Sequence, residues 1–239
     1  MLEINIIWVL LVGLVGIWIS LDFIQYMSAG INQEKEEERA SPPSEMKVLD
    51  TGITKNDGPV AVTGASGYIG SRVVEDLIQQ GYEVHACVRD KSNGKKVDHL
   101  HNLNNQGLEG SVQLFEADLL DPGSYDQAFS GCAGVIHAGA ALGFNRETPQ
   151  EVYDGCFTQN EHVVESVKKA GTVKRFVFTS SFAAVGHPRE EGYVFTEKDW
   201  CGDNVEGYRG AWTEENISKN RDIAYAMAKA NTEKMIYKA

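Results

Sequence analysis

The chain has 239 residues, with 34 acidic side chains against 22 basic ones and a formal net charge of −12. That length accommodates one α/β domain and an appendage, and the negative balance excludes a nucleic-acid binder, whose phosphates it would repel. The four cysteines (Cys87, Cys132, Cys156, Cys201) are scattered with no metal-ligand spacing; they read as reduced thiols of a cytosol-like compartment, and no metal is expected.

Residues 4–21 carry no charge and are bounded by Glu3 and Asp22. At ~1.5 Å per residue such a run nearly spans a ~30 Å hydrocarbon core, and Phe23 and Ile24 extend it. Trp8, Trp18 and Tyr26 suit interfacial positions. A signal peptide would carry a basic region before Ile4, and a soluble helix would show a polar face. The expectation is an uncleaved N-terminal transmembrane helix within residues 1–30. Lys35 and Arg39 follow it, which puts the rest of the chain in the cytosol by the positive-inside rule. Residues 31–57, with their Glu-rich run and Ser41-Pro42-Pro43-Ser44, read as a flexible charged linker. A partner-binding acidic tail is the alternative.

The stretch from Pro59 to Gly70 organises what remains, residues 58–239. Val60-Ala61-Val62-Thr63 reads as a buried parallel strand. Gly64, Ala65, Ser66, Gly67, Tyr68, Ile69 and Gly70 then turn the chain into an amphipathic helix with Val73, Val74, Leu77 and Ile78 on one face. Gly64 permits the tight turn, Gly67 removes a Cβ that would block a phosphate, and Gly70 lets helix and strand pack closely. The N–H groups at the helix start then face a dinucleotide pyrophosphate. A purely structural turn is the competing reading.

This Thr-Gly-x-x-Gly-x-x-Gly spacing resembles that of the extended short-chain dehydrogenase/reductase family. The branch it is most similar to holds dihydroflavonol 4-reductases, cinnamoyl-CoA reductases and 3β-hydroxysteroid dehydrogenases. The resemblance implies a doubly wound parallel α/β sheet of the Rossmann type, from about Gly58 to the end of the chain.

A second strand, Tyr82 to Val88, leads to Arg89, Asp90 and Lys95. A guanidinium and an ammonium there suit a 2′-phosphate, whereas an acid at the strand end would select the 2′-hydroxyl of NAD. Asp90 lies beyond the strand end. The Arg-x5-Lys spacing is similar to that of NADPH-using members of the branch, so NADP(H) is preferred over NAD(H). Two solvated surface cations are the plainer alternative.

Ser111 to Ala117 forms a third strand ending in Asp118-Leu119. The resemblance implies that this pair lies against the adenine; taken alone, Asp118 is a loop acid or helix cap. Asp121-Pro122 is expected to open a short helix to Phe129. Ala133 to His137 makes a fourth strand, and Ala138, Gly139 and Ala140 follow it, where small residues allow close approach to the nicotinamide-side ribose. His137 reads as a histidine packed within the strand end and is given no chemistry. Glu151 to Ala170 is a long covering helix. Its Thr158–Val164 segment departs from the family's Asn-Gly-Thr-x-Asn-Val-Leu and leaves the proton-relay partner open.

Lys174 to Thr179 is the fifth strand, ending in Ser180-Ser181. The resemblance makes Ser181 the catalytic serine, with Ser180 kept open as its neighbour. On the last helix, Asp222 to Tyr237, Tyr225 and Lys229 stand four residues apart on one face. A phenol titrates near ~10, and a nearby ammonium together with the positive helix end is expected to bring that value down. Tyr225 is then the acid–base group, and Lys229 holds the ribose and tunes the phenol. Tyr225 and Lys229 also count among the cofactor contacts.

Glu197-Lys198-Asp199-Trp200 resembles a stretch common in the branch, whereas Arg221-Asp222-Ile223-Ala224-Tyr225 replaces the Asn-Trp-Tyr-Cys-Tyr of cinnamoyl-CoA reductases. A monolignol role is therefore not expected. Family members continue past the point corresponding to Ala239 into a substrate lobe, so the chain reads as truncated and, as it stands, inactive. The expected function is reduction or oxidation of a small apolar or aromatic substrate. The alternatives are a membrane-bound sterol or 3β-hydroxysteroid dehydrogenase and a membrane-tethered NADP(H) sensor or scaffold.

Overall fold

The computed structural model describes residues 3–7 (backbone only), 52–140, 148–186, 192–196, 199–201 and 221–239. The strands are β1 (Glu3–Ile7), β2 (Val60–Thr63), β3 (Glu83–Val88), β4 (Ser111–Glu116), β5 (Gly134–His137) and β6 (Arg175–Thr179). The helices are α1 (Tyr68–Gln79), α2 (Gly94–Leu103), α3 (Asp126–Phe129), α4 (Pro149–Ala170) and α5 (Arg221–Lys238). The strands form one sheet in the order β1-β6-β5-β2-β3-β4, with every neighbouring pair parallel. Chain order reverses at β2, between β3 and β5. This is the switch point of a doubly wound sheet, where ligands bind at the strands' carboxyl ends.

Both faces of the sheet are covered, which is why its strands are apolar on both sides. On one face Val74 and Ile78 of α1 and Val97 and Leu100 of α2 pack against Val62, Val84 and Ala86. On the other, Phe129, Val163, Val167 and Ile236 of α3, α4 and α5 pack against Val135, Phe176 and Phe178. Helix α4 is capped at both ends. Thr148 and Glu151 close a capping box, Pro149 occupies the first turn, and Gly171 ends the helix at φ 66°.

Four expectations change. The anticipated membrane helix does not begin as one, because Glu3–Ile7 are a strand paired with β6 from Arg175 to Thr179. The pairing meets backbone groups that an edge of β6 would leave open. The rest of that segment lies outside the described residues, among which no helix is long and apolar enough to cross a membrane. The expected linker ends early: Ile53 is buried, Tyr82 donates to its carbonyl at 3.3 Å, and Asp57 meets Lys174 Nζ at 2.6 Å. Residues 53–57 are therefore packed onto the domain.

The helix expected from Asp121 starts only at Asp126. Gly123 takes φ 79°, and Ser124 Oγ donates to the Asp118 carbonyl at 2.7 Å, so a turn precedes it. Helix α2 was not anticipated at all. Its buried positions are Val97, Leu100 and Leu103, set among charged and polar neighbours.

Candidate active site

The glycine turn is built by contact between two loops. Gly64 has φ 65°, and a Cβ on it would stand 2.7 Å from the Gly139 Cα. The Gly139 N–H donates to Thr63 Oγ1 at 3.1 Å. A Cβ on Gly70 would run into the Gly64 carbonyl, so helix α1 touches the turn directly. Gly67 is the N-cap of α1, which has neither a side-chain cap bond nor an acid in its first turn. That leaves the positive end of a twelve-residue helix for an anion, and a dinucleotide pyrophosphate fits this cradle. Tyr68 is 92% exposed at the mouth, with Ser66 and Ile69 half-buried beside it.

The other expected cofactor residues line the same sheet edge. Arg89 is exposed just past β3, and Lys95 is exposed in the first turn of α2. Asp90 is engaged locally: its Oδ1 accepts from Ser92 N and Oγ at 2.9 and 2.6 Å, which holds its carboxyl below the usual range. Asp118 Oδ1 caps its own turn by accepting from Leu120 N at 2.9 Å, and the Leu119 carbonyl lies 2.9 Å from His162 Nδ1. Ala138 and Gly139 are half-buried and Ala140 is exposed. Thr63 is fully buried, and its hydroxyl serves the loop and His137 rather than open solvent.

Helix α5 brings Tyr225 to Ser181. The Ser181 hydroxyl works to lower the pKa of the phenol, and Ser181 Oγ accepts from Ala183 N at 3.2 Å, which orients it at the end of β6. The neighbouring Ser180 points inward and bonds the Glu233 carboxylate. Ser181 and Tyr225 therefore come together, and Ser180 belongs to a separate buried cluster.

Lys229 lies one turn after Tyr225 and is buried, its Nζ 5.0 Å from the centre of the Phe178 ring and 5.9 Å from that of Tyr225. Burial drives its pKa down, opposed by Cys156 and Glu233.

The phenol does not shift as anticipated. Burial pushes the Tyr225 pKa up, the Ser181 hydroxyl works the other way, and Cys156 adds to the rise. The physical reason is that loss of water around the phenolate outweighs an ammonium that faces the rings. At neutral pH the phenol is a proton donor.

Three buried polar residues escaped sequence reasoning. Asn160, in the segment that departs from the family pattern, is turned inward, and its Oδ1 lies 2.8 Å from His137 Nε2. Thr232 lies 3.5 Å from Asn160 Nδ2. Glu233 is 2% exposed, and burial raises its pKa to about 7. Its place four residues after Lys229 was the available signal. Of the Glu197–Trp200 stretch, residues 197 and 198 lie outside the described residues. Asp199 accepts from Thr196 N at 2.8 Å within its own segment, and Trp200 packs edge-on to Tyr237 of α5 at 6.0 Å.

A model of the NAD dependent epimerase/dehydratase family matches residues 60–236. Among curated proteins, a dihydroflavonol 4-reductase of Arabidopsis thaliana is 43% identical over 142 residues, 59% of this chain and 37% of that protein. A cinnamoyl-CoA reductase of Medicago truncatula is 42% identical over 151 residues, 59% of this chain and 46% of that one. The alignments thus span about two-fifths of the length of these relatives. Vestitone reductase from alfalfa superposes with a TM-score of 0.56 at 26% identity, covering 76% of this chain and 52% of that structure. Yeast methylglyoxal/isovaleraldehyde reductase complexed with NADPH shares the fold, with a TM-score of 0.60 at 22% identity over 75% of this chain and 52% of that one.

Proposed function

The chain belongs to the NAD dependent epimerase/dehydratase family, and on that premise we propose an NADP(H)-dependent oxidoreductase that interconverts a carbonyl and a secondary alcohol on a small apolar or aromatic substrate. The observation that carries this reading is the meeting of Tyr225 with Ser181 at the end of β6, with Lys229 one turn further along α5 and its Nζ 5.9 Å from the centre of the Tyr225 ring. A pure binding module has no need of a phenol held against a serine at the carboxyl edge of the sheet.

A nicotinamide cofactor supplies or accepts the hydride in this chemistry. The chain's own residues handle the proton and the oxygen. Ser181 donates to the substrate oxygen and keeps it beside Tyr225. Tyr225, protonated at neutral pH, gives its proton to that oxygen as it becomes a hydroxyl, which favours the reducing direction. The Lys229 ammonium then steadies the phenolate left behind. Helix α1 carries the pyrophosphate at its uncapped start.

Preference for NADP(H) rests on Arg89 and Lys95, two exposed cations at the end of β3 and the start of α2. Asp90, the acid nearest the ribose position, is spent on Ser92. The dihydroflavonol 4-reductases and vestitone reductase among its relatives support an aromatic ketone as substrate.

The test is NADPH oxidation by the purified full-length protein against a panel of aromatic ketones and dihydroflavonols, with 3-ketosteroids as the contrasting class. Turnover of the aromatic group is expected. NADPH binding with no oxidation across the panel would overturn the reading in favour of a sensor.

A further inference from the structure

A buried polar chain runs from the glycine turn to the catalytic helix, with His137 at its centre. Thr63 Oγ1 lies 2.5 Å from His137 Nδ1 while receiving the Gly139 N–H at 3.1 Å. On the other side, His137 Nε2 lies 2.8 Å from Asn160 Oδ1. Asn160 Nδ2 donates to the Cys156 carbonyl within α4 and reaches Thr232 Oγ1 of α5 at 3.5 Å. The amide is thus oriented with its oxygen toward the histidine, so Nε2 carries the proton and Nδ1 accepts from Thr63. From the Gly139 N–H to the Asn160 amide, each donor meets an acceptor in this series.

The ring also has packing partners. It stacks on Phe178 at 5.6 Å between ring centres, and the Lys229 ammonium lies over that same phenylalanine. His137 is 1% exposed, and burial brings its pKa down to about 4, in keeping with a neutral imidazole.

We propose that His137 is a positioning residue that fixes the spacing between the Ala138–Ala140 loop and the helix bearing Tyr225 and Lys229. It grips the loop through Thr63, and it grips the catalytic helix through Asn160 and Phe178. The proposal rests on the functional reading above, because that spacing matters only if the nicotinamide end of the cofactor lies between loop and helix. Packed groups with one satisfied arrangement hold geometry far better than an apolar substitute of the same size.

The test separates the two ends of the cofactor. NADPH and adenosine 2′,5′-bisphosphate, which lacks the nicotinamide, are titrated into wild type, His137→Phe, His137→Gln and Thr232→Val. His137→Phe is expected to weaken NADPH roughly five- to tenfold, as for loss of a buried hydrogen bond, and to leave the bisphosphate unchanged. His137→Gln, which can keep an N–H toward Asn160, should recover most of the loss. Thr232→Val touches only the α5 end of the chain and keeps the core volume, so it guards against a folding failure; it should weaken NADPH by a smaller factor. Equal weakening of both ligands, or NADPH binding unchanged in both His137→Phe and Thr232→Val, would overturn the proposal. Wild type that binds the bisphosphate but gains nothing from the nicotinamide would instead overturn the functional reading.

Discussion

Ser180 gives its hydroxyl to the buried carboxylate of Glu233, one turn beyond Lys229 on the same helix. The adjacent Ser181 meets Tyr225 instead, two turns earlier on that helix. On the proposed function, these two neighbouring serines divide structure from chemistry, as the alternation of side chains at a strand end allows.

That division predicts opposite phenotypes. Ser181→Ala should lower kcat by roughly 10²-fold or more, because it removes a donor to the substrate oxygen, with little change in stability. Ser180→Ala should cost about 1–3 kcal/mol of stability by leaving Glu233 without its partner. Paired measurements of turnover and urea unfolding on the two variants check this.

Glu233 and His137 bias acid stability in opposite directions. Burial raises Glu233 from 4.5 to about 7, so its neutral form supports the fold fully below 4.5, and that support is lost as pH rises toward 7. Burial lowers His137 from 6.5 to about 4, so its support is complete above 6.5 and is lost as pH falls toward 4. At about 1.4 kcal/mol per pKa unit, each is worth up to roughly 3 kcal/mol, and across the shared window they offset. Asp126, held low by Lys169 and Ser166, loses its contribution only below 3.8. Unfolding midpoints between pH 4.5 and 6.5 should be nearly flat in wild type. In Glu233→Gln they should rise with pH, since only the His137 contribution remains.

The glycine turn offers a graded series. Gly70→Ala drives a methyl into the Gly64 carbonyl and should abolish dinucleotide binding while costing about 2–4 kcal/mol. Gly67→Ala meets that same carbonyl at 3.1 Å, a contact relieved by a small shift, and should be the milder change. Cofactor titration and thermal unfolding of both variants check the order.

Arg89→Ala with Lys95→Ala should weaken NADPH by about 10- to 100-fold and leave NADH nearly unchanged. Only NADPH brings a 2′-phosphate to these cations, and charged hydrogen bonds carry that much. Equal losses for both cofactors would contradict the assignment.

The sheet and the glycine turn were legible because their signals are local. Val60–Thr63 and the glycines after it specify strand, turn and helix within a dozen residues, and Tyr225 and Lys229 share a helix face by spacing alone. What escaped depends on pairings distant in sequence. His137 and Asn160 meet only because β5 lies under α4, and Ser180 separates from Ser181 only once α5 packs against β6. The isoleucines of β1 suit a membrane helix and an edge strand equally well, since a short apolar run carries no period that distinguishes them. Helix α2 hid because its three buried residues are spaced among lysines, histidines and asparagines. The phenol's upward shift could not be read at all, because burial is a property of the packed site.

The central claim is that Tyr225 delivers the proton, and Tyr225→Phe tests it most directly. The variant keeps the ring and its packing while removing the hydroxyl that meets Ser181. Steady-state NADPH oxidation with a turned-over ketone should fall by about 10²- to 10⁴-fold, the usual worth of a positioned acid, while the dissociation constant for NADPH stays within about twofold. Near-normal turnover by Tyr225→Phe would contradict the account.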